Sequence, residues 1–209
     1  MANFVLIPGG GSGPWYWSLL VDELRARGHD GVAVDLPSED DSAGLSEYAD
    51  AAVDAIGDRR DLVVVGHSLG GFTAPLVCAR VPVDLLVMLT AMIPAPGETA
   101  NDWWANTGHE SLDGDTFFHD VPPELAAEST KDERDQSGTP MGEPWPLPAW
   151  PDVPTRFLLC SEDRFFPAEF MRRVVKDRLG VTPDEIATGH MPMLARPKEL
   201  ADRLISYVT

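Results

Sequence analysis

Short apolar runs and amphipathic stretches alternate along most of this chain. Residues 4–7, 32–34, 62–65, 84–90 and 154–160 are dominated by Val, Leu, Ile, Met and Phe. Runs with no polar alternation predict strands of a parallel sheet covered on both faces. A short last strand is expected at 184–187. Between the strands, apolar residues return at helical spacing over 15–27 and 46–56, and again over 72–80, 167–180 and 197–207. Gly28 and Gly180 are placed to end two of these helices, Ser46 to cap one, and Pro167 to open another at its first position. The order βαβαβαβ, interruption, βαβα predicts an α/β fold in three layers, with a mostly parallel six-stranded sheet between two layers of helices.

The interruption covers about 92–152. It is rich in Pro, Gly, Asp and Trp, with helix-like patches at 102–106 and 123–129. Five prolines lie between Pro140 and Pro151, around Trp145 and Trp150, which defeats a long helix or a central strand. A bare connection of this length is foreign to a compact domain, so a cap or lid insertion is expected within a single domain spanning 1–209.

Composition narrows the class. The chain of 209 residues is 44% apolar and 8% aromatic, which is globular. A net charge of −18 argues against nucleic acid or an anionic membrane as partner. Cys78 and Cys160 fall in apolar runs and form neither a disulfide framework nor a metal-ligand spacing. The apolar run before Pro8 is only four residues long, no run is long enough to span a membrane, and a cytoplasmic protein without metal or organic cofactor is expected. Oligomeric state is open between a monomer and a homodimer.

The chemistry concentrates after the third strand. Gly66-His67-Ser68-Leu69-Gly70 matches G-x-S-x-G in a strand–turn–helix context, the nucleophile elbow. The strained turn projects the Ser68 hydroxyl beyond the strand, and the flanking glycines let strand and helix approach closely. A base should then follow a later strand, at the carboxyl end of the sheet. Of the five histidines, His29 lies at the wrong end. His67 is carried away from Ser68 by its backbone direction, and His109 and His119 fall in the insertion, where an exposed histidine is the default. His190, on the loop after the last strand, is the expected general base. The preceding strand ends at Ser161-Glu162-Asp163-Arg164. Successive residues cannot both face the site, and Asp163 is taken as the acid with Glu162 as the alternative. Gly9-Gly10-Gly11 follows the first strand and can turn a bare N–H toward Ser68. It matches neither a P-loop nor a dinucleotide fingerprint cleanly.

Together these residues resemble the α/β-hydrolase superfamily over essentially the whole chain. Within it the sequence is similar to compact esterases related to plant methyl esterases and hydroxynitrile lyases. The likeness rests on Gly13-Pro14-Trp15-Tyr16-Trp17 after the first strand and on His190-Met191-Pro192-Met193-Leu194 near the C-terminus. It implies a triad of Ser68, Asp163 and His190, with Gly10 and Leu69 supplying oxyanion N–H groups. Two positions depart from the pattern. Pro8 stands where the family has a corner histidine, and Met191 where rubber-tree-type lyases have a lysine able to stabilise departing cyanide. The resemblance therefore implies a serine esterase acting through an acyl-enzyme on a small, hydrophobic ester. Its rivals are a hydroxynitrile lyase, a lactonase and a low-turnover small-ligand receptor.

Overall fold

The computed structural model describes residues 1–110 and 116–208. Each strand expected from the sequence is present: β1 (Asn3–Ile7), β2 (Asp30–Ala33), β3 (Leu62–His67), β4 (Leu85–Leu89), β5 (Thr155–Cys160) and β6 (Asp184–Ile186). They form one sheet in the order β2-β1-β3-β4-β5-β6, parallel at every neighbouring pair. Parallel pairing requires a crossover after each strand, and the crossover helices cover both faces. Successive side chains alternate between the two layers. Val5, Ile7, Val64, Leu86 and Met88 pack under α2 (Leu45–Ile56), α3 (Ala74–Cys78) and α7 (Ala168–Leu179). Phe4, Leu6, Val63, Val65 and Val87 pack under α1 (Ser18–Ala26), α8 (Pro192–Ala195) and α9 (Pro197–Ile205).

Four helix starts differ from expectation; in one, Pro167 stands just before α7 as its N-cap instead of at its first position. The first helical stretch opens as a 3-10 turn over Pro14–Trp17 before α1 begins. Helix α2 begins at Leu45 behind Gly44, one turn position before Ser46 could cap it. Its first N–H groups are met by glutamates instead: Gly44 N–H donates to Glu47 at 2.8 Å and Leu45 N–H to Glu143 at 2.7 Å. After β3 the chain makes a 3-10 turn at Ser68–Gly71 before α3. A continuous helix from Phe72 to Arg80 is not formed.

The direction in which successive strands are added to the sheet reverses at β1, which has β2 on one side and β3 on the other. At such a reversal the loops leaving the two central strands part, and a crevice opens beyond their carboxyl ends. The glycine loop after β1 and the serine turn after β3 both enter it.

Between β4 and β5 lie α4 (Ala100–Thr107), α5 (Pro123–Ser129) and α6 (Thr139–Gly142). Residues 111–115 of the insertion expected here lie outside the described residues. The two ends of the segment are tied to each other: Gly97 N–H donates to Trp145 O at 3.0 Å, and Trp145 N–H to Glu98 O at 2.9 Å. Trp103 and Trp145 are buried, and their indole N–H groups donate to Ile93 O and Phe72 O. These two tryptophans anchor the segment to the sheet layer. The Glu98 carboxylate, itself buried, accepts from Arg178 of α7 at 2.8 Å and from Asn106 at 2.8 Å. Among the described residues no helix is long and apolar enough to cross a membrane.

Candidate active site

Ser68 sits at the first position of the tight turn with φ +50. A left-handed backbone at a non-glycine residue costs about 1–3 kcal/mol and persists only where its surroundings over-determine it. Here the surroundings are close backbone. A Cβ at Gly66 would lie 2.6 Å from Ala74 Cβ, and one at Gly70 would lie 2.6 Å from Pro8 O. Both motif glycines are therefore required by contact, and the turn they allow directs the Ser68 hydroxyl toward the loop after β6.

His190 receives it. Its Nε2 is 3.0 Å from Ser68 Oγ, and its Nδ1 is 2.7 Å from Asp163 Oδ2. The ring is 1% exposed and Asp163 5% exposed. Since a carboxylate only accepts, Nδ1–H donates to Asp163, and the bare Nε2 faces the serine hydroxyl. The Asp163 carboxylate is fully engaged. Oδ2 also accepts from Thr90 Oγ1 at 2.6 Å, and Oδ1 accepts from the N–H groups of Phe165 and Phe166 at 2.8 and 2.9 Å. Burial pushes its pKa up. The nearby His190 and the hydrogen bonds from His190, Thr90 and Phe166 outweigh that and hold it below its ordinary value of 3.8. Glu162, the alternative acid, is exposed and contributes only backbone groups, its N–H donating to Thr188 O.

The glycine loop lies against the serine. A Cβ on Gly9 would approach Ser68 Cβ to 2.9 Å, and one on Gly10 would approach Leu69 Cδ2 to 3.3 Å. The loop after β1 thus meets Ser68 and Leu69 of the turn after β3, and Gly10 and Leu69 both keep some exposure. The surroundings of the His190 ring are otherwise aromatic. The rings of Phe165 and Phe117 lie 5.1 and 5.3 Å from His190, and Phe166 lies 5.4 Å away. Trp103 and Trp145 anchor the β4–β5 segment instead of facing this space.

Several contacts were not readable from spacing. Thr90 leaves β4 with φ +38 and spends its hydroxyl on Asp163. Its one signal was its place at the carboxyl end of a strand adjoining β5. His67 does point away from the Ser68 hydroxyl, but it is not idle: its Nε2–H donates to His190 O at 2.8 Å, and the two rings are 4.9 Å apart. His109 is half-buried among Trp104, Phe165, Phe166 and Phe170 rather than exposed, and its Nε2–H donates to Phe165 O at 2.7 Å. His29 accepts from Ala2 N–H at the far end of the sheet, as its position implied.

Burial, reinforced by neighbouring His190, pushes His67 down to about 3 from its ordinary 6.5. The unfolded chain binds this proton near pH 6.5 and the folded chain only near pH 3. Between those values the unfolded state holds more protons, so stability falls as the pH drops through the window. From pH 7 to 5 this group alone removes about 2 kcal/mol. The depressed Asp163 acts lower, below its ordinary 3.8, since its contribution is present above its unfolded pKa and lost as pH falls through its folded one. A His67→Gln variant keeps a donor for His190 O and loses the titration. Urea denaturation at pH 7 and pH 5 should show a loss about 2 kcal/mol smaller for the variant than for wild type; equal losses would remove His67 as the cause.

Residues 4–203 match the Alpha/beta hydrolase family. The chain is similar to the probable esterase PIR7A of Oryza sativa subsp. indica, at 29% identity over 97% of this chain and 95% of that protein. It is similar also to methylesterase 1 of Arabidopsis thaliana, at 24% identity over 96% and 93%. In fold it matches the crystal structure of polyneuridine aldehyde esterase with a TM-score of 0.84, 21% identity and 100% of each chain covered.

Proposed function

The chain belongs to the Alpha/beta hydrolase family, and from that premise we propose that it is a serine esterase working through an acyl-enzyme. One observation carries the reading: the unbroken line of hydrogen bonds from Ser68 through His190 to Asp163, with the serine on a strained turn. The esterase names of the relatives support it.

In this mechanism Ser68 Oγ attacks the ester carbonyl carbon while His190 Nε2 takes its proton. The carbonyl oxygen becomes an oxyanion, held by the N–H groups of Gly10 and Leu69. Collapse breaks the bond to the alcohol, which leaves with the proton from His190. Water then gives a proton to His190 and attacks the acyl carbon; collapse breaks the bond to Ser68 Oγ, to which His190 returns the proton, and the acid is released. Asp163 keeps its negative charge throughout, holding the imidazole and stabilising its charged form. The phenylalanines beside His190 favour a hydrophobic group on the substrate, and the β4–β5 segment acts as the lid that selects it.

A chain-length series of p-nitrophenyl esters tests this. Mixing enzyme with excess ester should release a burst of p-nitrophenol stoichiometric with active sites, followed by a slower steady rate, with the longer acyl chains of the series preferred. Mandelonitrile should release no cyanide above background, because Met191 supplies no cation beside the base. Cyanide release without an ester burst would transfer the reading to a lyase.

A further inference from the structure

The loop bearing His190 is held from the β4–β5 segment, outside the three residues that form the hydrogen-bonded line. Asp120 Oδ2 accepts from Gly189 N–H at 2.7 Å and from Thr188 Oγ1 at 2.8 Å, the two residues directly before the base. Its other oxygen, Oδ1, is buried without a hydrogen-bond partner among the described residues. All the hydrogen bonding of this carboxylate is therefore directed at the base loop. The approach is close enough to require glycine there: a Cβ on Gly189 would lie 2.5 Å from Asp120 Oδ1 and 2.7 Å from His119 Nε2. His119 in turn donates to Glu162 O at 3.0 Å, on the loop that carries Asp163. Phe117, three residues earlier, packs its ring on His190. One short piece of the β4–β5 segment thus touches the base loop, the acid loop and the base itself.

We infer that Asp120 is a positioning residue for the general base, fixing the Thr188–Gly189 backbone so that His190 Nε2 meets Ser68 when the β4–β5 segment is seated. This rests on the esterase reading above. A carboxylate that only tied the segment down would need no paired acceptance from the two residues preceding the base, and its loss would loosen substrate binding first. A positioning carboxylate acts on the rate of the chemical step. Displacing a reacting group by about 1 Å can cost about 100-fold in rate, so Asp120→Ala should lower kcat by roughly 10- to 100-fold and change KM by less than about threefold. A single oxygen accepts both hydrogen bonds, and an amide carbonyl can do the same. Asp120→Asn should accordingly recover kcat to within about fivefold of wild type.

The test is steady-state hydrolysis of one p-nitrophenyl ester by wild type, Ser68→Ala, Asp120→Ala and Asp120→Asn. If Asp120→Ala does not fold, Thr188→Val, which removes one of the two hydrogen bonds, takes its place with an expected three- to tenfold loss in kcat at unchanged KM. Loss carried by KM with kcat retained, or an alanine variant as fast as wild type, overturns the inference and leaves the esterase reading intact. Equal rates for wild type and Ser68→Ala overturn the esterase reading and the inference with it.

Discussion

Replacing Ser68 with alanine is expected to lower ester hydrolysis on the order of 10⁶-fold in kcat, to the rate left by binding and oxyanion contacts alone. The size follows from the arrangement. Ser68 Oγ is the atom at 3.0 Å from His190 Nε2, and among the described residues no other hydroxyl shares that contact. Without it the imidazole has nothing to deprotonate but water, and the acyl-enzyme cannot form. Alanine keeps the Cβ, the φ of +50 and the close glycine contacts, so the fold should be undisturbed. The measurement is the p-nitrophenyl ester rate alongside a thermal melt. An unchanged Tm with a lost rate isolates the hydroxyl, whereas retained activity would assign the nucleophile elsewhere.

Asp163→Asn should lower kcat by about 10³- to 10⁴-fold with little change in KM, a cost of about 4–5 kcal/mol in transition-state stabilisation. The reason lies in which donors surround the carboxylate. Oδ1 faces two backbone N–H groups, those of Phe165 and Phe166, and these can only donate. An asparagine must turn its carbonyl to them, which leaves its NH₂ facing His190 Nδ1. The imidazole then accepts at Nδ1 and carries its proton on Nε2, the wrong tautomer to take a proton from Ser68. Glu162→Gln, on the exposed neighbour, serves as the control and should leave kcat within about twofold of wild type. A reversal of these two results would move the acid to Glu162.

The strands were legible because a parallel sheet buried on both faces leaves an unmixed apolar run, as in Val63-Val64-Val65. The Ser68 turn was legible because its conformation demands glycines at fixed offsets, and the place of His190 because its loop follows the carboxyl end of a strand. Asp163 could be preferred to Glu162 once alternation allowed only one of them to face inward. What spacing could not give were contacts made across the chain. Helix α2 starts behind Gly44 because Glu143, remote in sequence, takes the N–H of Leu45. The backbone direction that carries His67 away from Ser68 says nothing about the carbonyl of His190, brought to it by a loop far along the chain. Thr90 and Asp120 carried no motif at all. Their partners are set by which loops the sheet order brings side by side.

The paired hydrogen bonds between Gly97, Glu98 and Trp145 close the neck of the β4–β5 segment. A loop already closed at its base carries its own end-to-end constraint, so its length and sequence can change without altering the spacing of the two strands below. Residues 99–144 consequently form a cassette. A chimaera cut at this neck could exchange substrate preference between relatives, provided that an acceptor for the Thr188–Gly189 turn travels with the graft. Evolution and protein engineering face the same splice sites here, and the same contacts to carry across, those of Asp120 on the His190 loop and of Glu143 on the start of α2 among them.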